Sequence, residues 1–241
     1  NFEFNINEKG IANLTGDNGI EIVIRGVIDR VDIYESNGEK YIRVIDYKTG
    51  KKIFSMSSLL YGINLQMLLY MFTITGSGGA YSDCNPAGVL YMPSGEIVCG
   101  RDRDESDNME EYLNKHYKMN GVVLNDRAVL NAMEKDIQGI YIPAKLLKGD
   151  TGDGELLLNK RSSSCLTSSQ FKKLRQHTEK IIIDVCNELY SGNIDADPLV
   201  ISGGSPCDYC DYWSVCGNVP CEKYREADKN AEEEMLKIIS D

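Results

Sequence analysis

Apolar and polar positions alternate with a period of two through Glu21–Tyr34. Ile22, Ile24, Gly26 and Ile28 fall on one side, and Val23, Val27, Asp29, Val31 and Ile33 on the other. Asp29 therefore stands in an otherwise apolar row. The run Lys40–Lys48 repeats the pattern, with Ile42, Val44, Asp46 and Lys48 on one face and Tyr41, Arg43, Ile45 and Tyr47 on the other. Ser36-Asn37-Gly38 between the runs is a turn signal, so the two strands are predicted to form a hairpin. Asp46 and Lys48, two residues apart on one strand, point the same way.

The spacing turns helical after the lysines. Ser57 or Ser58 is placed to cap a helix reaching about Ile74, with Ile63, Met67, Tyr70 and Met71 as its apolar stripe. Gln66 and Tyr70, four apart, share a face of it. Ala87–Met92 reads as a buried strand ended by Pro93-Ser94-Gly95, and Glu105–Lys118 and Asp126–Lys135 as helices. Thr167 with Gln170 forms a capping box for a helix carrying Phe171, Leu174, Ile181, Ile182, Val185 and Leu189, stopped at Gly192. Gly149–Gly154 and Arg161–Ser164 read as loops. Strands interleaved with helices predict an α/β fold, a central mixed β-sheet flanked by helices. The expected organisation is a core over 1–200, a cysteine-rich segment over 201–221 and an acidic helix or tail over 222–241.

Length and composition fit one such domain. The 241 residues are enough to bury a core, and an apolar fraction of 42% is ordinary for a globular protein. No apolar run approaches a membrane span and no signal peptide opens the chain. Asn rather than Met at position 1 is expected of a domain cut from a longer chain.

The hairpin carries the candidate chemistry. A hard cation such as Mg²⁺ or Mn²⁺ takes oxygen ligands, commonly one or two carboxylates with waters and phosphate oxygens. Asp29 and Asp46 can supply the carboxylates, and the backbone carbonyl of Tyr47 a further oxygen. Lys48 beside them can orient an attacking water or offset charge growing on a phosphate. That is a kit for hydrolysing a phosphodiester. The plain alternative is an edge hairpin with scattered solvated charge, and two acids set in apolar rows argue against it.

Eight cysteines in an acidic, signal-free chain argue against a secreted disulfide scaffold. Cys84, Cys99, Cys165 and Cys186 are dispersed and read as structural thiols, Cys186 on the apolar face of its helix. Cys207-x2-Cys210-x5-Cys216-x4-Cys221 is compact, with a spacing that suits Zn²⁺ held by four thiolates or an iron–sulfur cluster.

Gly26-Val-Ile-Asp29-Arg-Val-Asp32, Asp46-Tyr-Lys48-Thr-Gly50 and Leu65-Gln66-Met-Leu-Leu-Tyr70, in that order, resemble the restriction-endonuclease-like PD-(D/E)xK nucleases of the RecB type. Gly121-Val-Val-Leu-Asn-Asp126, Asn131-Ala-Met-Glu134 and the cysteine segment extend the likeness to the AddB-type branch, from about residue 2 to about residue 217. Ile28 stands where the family name has proline, as is usual in the RecB branch. The resemblance implies a Mg²⁺- or Mn²⁺-dependent DNA exonuclease with Asp29, Asp46, Lys48 and Gln66 as catalytic residues. It implies Tyr70 beside the site, Glu3 as an accessory acid or an exposed charge, and AddA as partner helicase–nuclease in bacterial cytoplasmic double-strand-break repair. It also implies a C-terminal cysteine clip holding a [4Fe-4S] cluster through Cys207, Cys210 and Cys216. The fourth ligand in that family lies upstream of the nuclease core, and Cys221 is the substitute available here. A Cas4-like exonuclease shares much of this pattern, and an inactive nuclease-fold binding module is the reading from another class.

A net charge of −11 is unusual for a DNA enzyme. The acidity gathers in 101–111 and 222–241, away from the motifs, while Lys51 and Lys52 adjoin Lys48 as candidate DNA contacts. Lys160, Arg161, Lys172, Lys173 and Arg175 read as ordinary surface, and His116 and His177 receive no role.

Overall fold

In a computed structural model the chain forms a six-stranded mixed sheet whose strands lie side by side in chain order. Described are residues 1–6, 14–17, 19–50, 52–76, 78–95, 109–146, 164–201, 203–216 and 223–240, without the Glu110 side chain. Lys51, Cys99, Lys160, Arg161 and Cys221, the expected loop 149–154 and most of the acidic stretch 101–111 lie outside them.

Strand β1 (Phe2–Ile6) pairs antiparallel with β2 (Gly26–Ser36), and β2 with β3 (Glu39–Lys48). The β2–β3 hairpin closes through a two-residue turn, Asn37 and Gly38, whose φ angles of 53° and 79° are those of a type I′ turn. Strand β4 (Cys84–Pro93) runs parallel to β3, so the chain must cross over between them. Two helices make that crossing, α1 (Met56–Leu60) and α2 (Gln66–Ile74). The predicted single helix is broken because Gly62 and Asn64 take left-handed φ of 78° and 65°. Its cap is Ser55, whose hydroxyl accepts the Ser58 N–H, and Ile63 falls in the break rather than on a buried stripe.

Helix α3 (Met109–Tyr117) occupies the described end of the helix expected over 105–118. It leads into β5 (Asn120–Leu124), antiparallel to β4, which the periodicity did not separate from its surroundings. Helix α4 (Arg127–Met133) is capped by Asp126. Glu134, which the helix was expected to include, closes it and turns its buried carboxylate back on the chain. One oxygen accepts the Ile140 N–H and the other those of Tyr141 and Ile142, at 2.8–3.0 Å. Strand β6 (Cys165–Leu166) lies parallel to β5. Helix α5 (Ser168–Tyr190) starts on the predicted Thr167–Gln170 capping box and stops before Gly192, whose φ is 79°.

Successive residues of β3, β4 and β5 enter two different cores, as a pleated strand requires. Val44, Val89 and Val122 join Leu59, Leu68, Met71, Phe171 and Leu174 in the larger one. Ile45, Leu90 and Val123 join Leu130, Ile137 and Ile142 in the smaller. Both faces of the central strands are covered, which explains their continuous apolar runs. The last helix, α6 (Ala231–Ile239), drives Met235 and Ile239 fully into the larger core and packs on α1. One expectation fails along α5: Phe171 and Leu174 are buried, but Val185 and Leu189 are 47% and 66% exposed. Past Leu174 the helix turns Ile182, Ile183 and Cys186 toward Leu14 and Ile22, which leaves Val185 and Leu189 outside the contact. Among the described residues no helix is long and apolar enough to cross a membrane.

Candidate active site

The site forms where β2 and β3 part. Their ladder runs from Ser36↔Glu39 to Arg30↔Ile45, and one further step would set Asp29 opposite Asp46. At that step the Tyr47 N–H donates to the Asp29 Oδ2 at 2.8 Å instead. A carboxylate thus satisfies a strand amide and leaves the backbone open beside it. Cross-strand neighbours share a face, so the register brings Asp29 to the face that Asp46 and Lys48 share by alternation.

Asp46 is buried to 7% exposure, and its Oδ2 has no hydrogen-bond donor. The Lys48 ammonium approaches that oxygen to 2.5 Å. The contact is an ion pair by distance, off the direction of a hydrogen bond, so the oxygen keeps its lone pairs for another partner. The oxygen is charge-paired but accepts no hydrogen bond, and a bound metal cation is a partner that would complete its coordination. The donor set fits a hard cation: two carboxylates, with the Tyr47 carbonyl as a third oxygen. Among the described residues no three His, Cys, Asp or Glu side chains converge, so two acids are all the side-chain ligands brought together here.

Glu3 stays outside the cluster. The β1–β2 register puts it level with Asp29, but it is exposed and its φ of 50° takes it out of the strand pleat. Asp32 is likewise not a ligand. Its carboxylate accepts from the Nε atoms of Arg30 and Arg43 at 2.8 and 2.9 Å. Burial pushes its pKa up, but the two guanidiniums together outweigh this and hold it below the ordinary value. A cavity of about 470 Å³ between the hairpin and α4 is lined by Asp32 and Arg43, not by the Asp29–Asp46 pair.

Gln66 opens α2 and donates from Nε2 to the Tyr70 hydroxyl at 3.1 Å, so the pair share a face as their spacing predicts. Tyr70 in turn lies on β2. A Cβ at Gly26 would come within 2.6 Å of its ring, so only glycine lets the ring sit three residues from Asp29. Lys52 is exposed. Tyr91 is a neighbour that the sequence pattern did not single out. It stands beside Asp46 in the β3–β4 register, 4% exposed, and burial with the Asp46 charge pushes its pKa up to about 12. The only available signal was one hydroxyl in an otherwise apolar strand.

The cysteine segment is flanked by a short parallel pair, β7 (Leu199–Val200) with β8 (Arg225–Glu226). Cys207 and Cys210 lie in and after a single helical turn that Ser205 and Asp208 cap reciprocally, and Cys216 follows a further turn. Thiolate donors suit an iron–sulfur cluster, yet the three described thiols do not meet at a common point.

Sequence comparison agrees with this geometry. The model of the PD-(D/E)XK nuclease superfamily matches residues 2–217. A subunit of the ATP-dependent helicase/deoxyribonuclease of Clostridioides difficile (strain 630) is 32% identical over 235 residues, 92% of this chain and 20% of that protein. The protein of the same name from Clostridium acetobutylicum is 34% identical, over 92% of this chain and 19% of its own length. Its namesake from Clostridium botulinum (strain Hall) is 36% identical over 222 residues, 89% of this chain and 19% of its own length. The chain thus spans about a fifth of the length of these relatives. Strand partition, paired carboxylates and motif order converge on one conclusion: the chain belongs to the PD-(D/E)XK nuclease superfamily.

Proposed function

We propose that this domain hydrolyses DNA phosphodiester bonds with Mg²⁺ or Mn²⁺, as the exonuclease part of an AddB-type helicase–nuclease protein. The observation that carries the reading is the Asp46 Oδ2: buried, without a donor, opposite Asp29 and beside Lys48. Asp29, Asp46 and the Tyr47 carbonyl would hold the cation. Bound there, it supplies Lewis-acid activation of the phosphoryl group and of a water. Lys48 orients that water or offsets charge growing on the phosphate. Gln66, steadied by Tyr70, positions water or substrate, and Lys51 and Lys52 meet the DNA backbone.

With a net charge of −11 the domain binds DNA weakly by itself, and its partner, the AddA helicase–nuclease, supplies most of the affinity. Together they resect double-strand breaks in the bacterial cytoplasm, this domain cutting the strand that ends 5′. The names of the relatives support the deoxyribonuclease part of this reading. Cys207, Cys210 and Cys216, once drawn together, would hold a [4Fe-4S] cluster with an upstream cysteine or Cys221, as a clip away from the reacting atoms.

The test is Asp46→Ala in the assembled complex. Cleavage of the 5′-ended strand should vanish, as it should for the unmutated complex under a chelator, while the other strand is still cut. Undiminished cleavage of the 5′-ended strand by the mutant overturns the assignment.

A further inference from the structure

The geometry points to Asn120, on β5, as a positioning residue that sets the loop between Lys48 and α1 against the nucleic acid. The strand registers lay out one transverse row: Asp46 on β3, Tyr91 on β4 and Asn120 on β5. Two strand spacings separate the ends of that row, about 10 Å, so Asn120 does not reach the carboxylate site itself. Its carboxamide oxygen instead accepts the Phe54 N–H. Phe54 packs on the larger core and directly precedes Ser55, the α1 cap.

The other end of the loop is held too. The Lys48 carbonyl accepts the Ser94 N–H at 2.9 Å, and Gly95 lies so close to Thr49 that a Cβ there would come within 2.5 Å of its carbonyl oxygen. Between these anchors Lys52 is exposed, and Ile53 is 68% exposed beside it. A cation next to an apolar side chain, directly after Asp46 and Lys48, suits a phosphate with its adjoining sugar or base. Asn120 is itself held at close quarters. Gly121 has a φ of 155°, and a Cβ there would overlap the Val89 carbonyl, so only glycine lets β5 approach β4 this closely. No other partner holds the Phe54 amide among the described residues, so without Asn120 this end of the loop rests on the packing of the Phe54 side chain and on the α1 cap alone.

This inference rests on the nuclease reading, and its test separates the two. The intact protein in complex with a partner whose own nuclease site is inactivated is assayed on a fluorescein-labelled single-stranded oligonucleotide, by anisotropy without metal and by cleavage with Mn²⁺. Asn120→Ala should weaken oligonucleotide binding and raise KM about five-fold, the scale of one lost hydrogen bond, with kcat and calorimetric Mn²⁺ affinity within about two-fold. Asn120→Asp keeps an acceptor for Phe54 and should restore both. Unchanged binding and KM in Asn120→Ala overturn the inference, as does a loss of kcat and Mn²⁺ affinity with KM unmoved. Failure of the unmutated complex to cleave with Mn²⁺ counts against the nuclease reading, and the metal-free anisotropy still decides for or against the loop.

Discussion

Asp46 and Glu134 are equally buried, at 7% and 6% exposure, and their surroundings are opposite. Glu134 spends both oxygens on three backbone N–H groups at the close of α4. Asp46 has one oxygen that meets no donor, with only the Lys48 ammonium beside it. A buried carboxylate must be compensated. Glu134 is compensated by its own chain and so belongs to the fold. Asp46 is paired in charge by Lys48 but keeps an oxygen that accepts no hydrogen bond, which suits a further partner. Burial alone does not tell a structural acid from a functional one; the state of its lone pairs does.

The largest effect that follows is on activity. Asp46→Asn keeps the shape and removes the charge, so cleavage should fall by at least ~10³-fold, because several kcal/mol of transition-state stabilisation pass through the cation. Its stability in chemical unfolding should move by less than about 1 kcal/mol, since a partly exposed lysine is all it loses. Glu134→Gln should do the reverse. An amide nitrogen would face loop N–H groups, and the lost charged hydrogen bonds cost about 3 kcal/mol. Calorimetric Mn²⁺ affinity of the folded fraction should stay as it was. If Asp46→Asn proves the more destabilising of the two, the contrast collapses.

How much of this was legible in the sequence depends on the range of the interaction. Period-two alternation placed Asp46 and Lys48 on one face, because side-chain direction in a strand is local, while the β2–β3 register that brings Asp29 to that face is not. The Thr167–Gln170 capping box and the Asn37-Gly38 turn were local as well, and each stands where its residues imply. Glu134 was legible as part of a motif, but its role was not. Its partners are six to eight residues ahead in a loop without periodicity. The break between α1 and α2 was missed because the apolar spacing runs on through Gly62 and Asn64, whose backbone conformation ends the turn. Tyr91 beside Asp46 and Asn120 at the far end of the same row were hard to see for another reason: strand registers set that row, and they pair residues tens of positions apart.

Gly26→Ala probes a smaller term on the functional side of the contrast. The added methyl would strike the Tyr70 ring, at a cost of about 1–3 kcal/mol in thermal unfolding. It would also push Tyr70 off β2, carrying Gln66 with it through their 3.1 Å hydrogen bond. Activity should drop about ten-fold if Gln66 contributes one positioned hydrogen bond to a charged partner. Tyr70→Phe keeps the ring and deletes only that bond, so it should be nearly as stable as the parent and share the activity loss. Full activity in Tyr70→Phe would make the pair a packing feature and move Gln66 out of the site.

The smallest effect concerns a third acid, and it sharpens the rule drawn from the first two. Asp32 lies on the same hairpin as Asp29, but Arg30 and Arg43 engage its oxygens, so by the lone-pair criterion it is structural. Its folded pKa is below the ordinary 3.8 despite burial, because the two guanidiniums outweigh the desolvation. A carboxyl with a depressed folded pKa contributes stability that is present above its unfolded value and lost as pH falls through the folded one. Acid unfolding below about pH 4 should therefore include a term from Asp32, under about 1 kcal/mol because the group is 27% exposed. In Asp32→Asn that part of the pH dependence should flatten, with Mn²⁺ affinity at neutral pH unchanged. Lost Mn²⁺ affinity in that variant would put Asp32 among the cation's partners and show that a carboxylate saturated by arginine still serves the site.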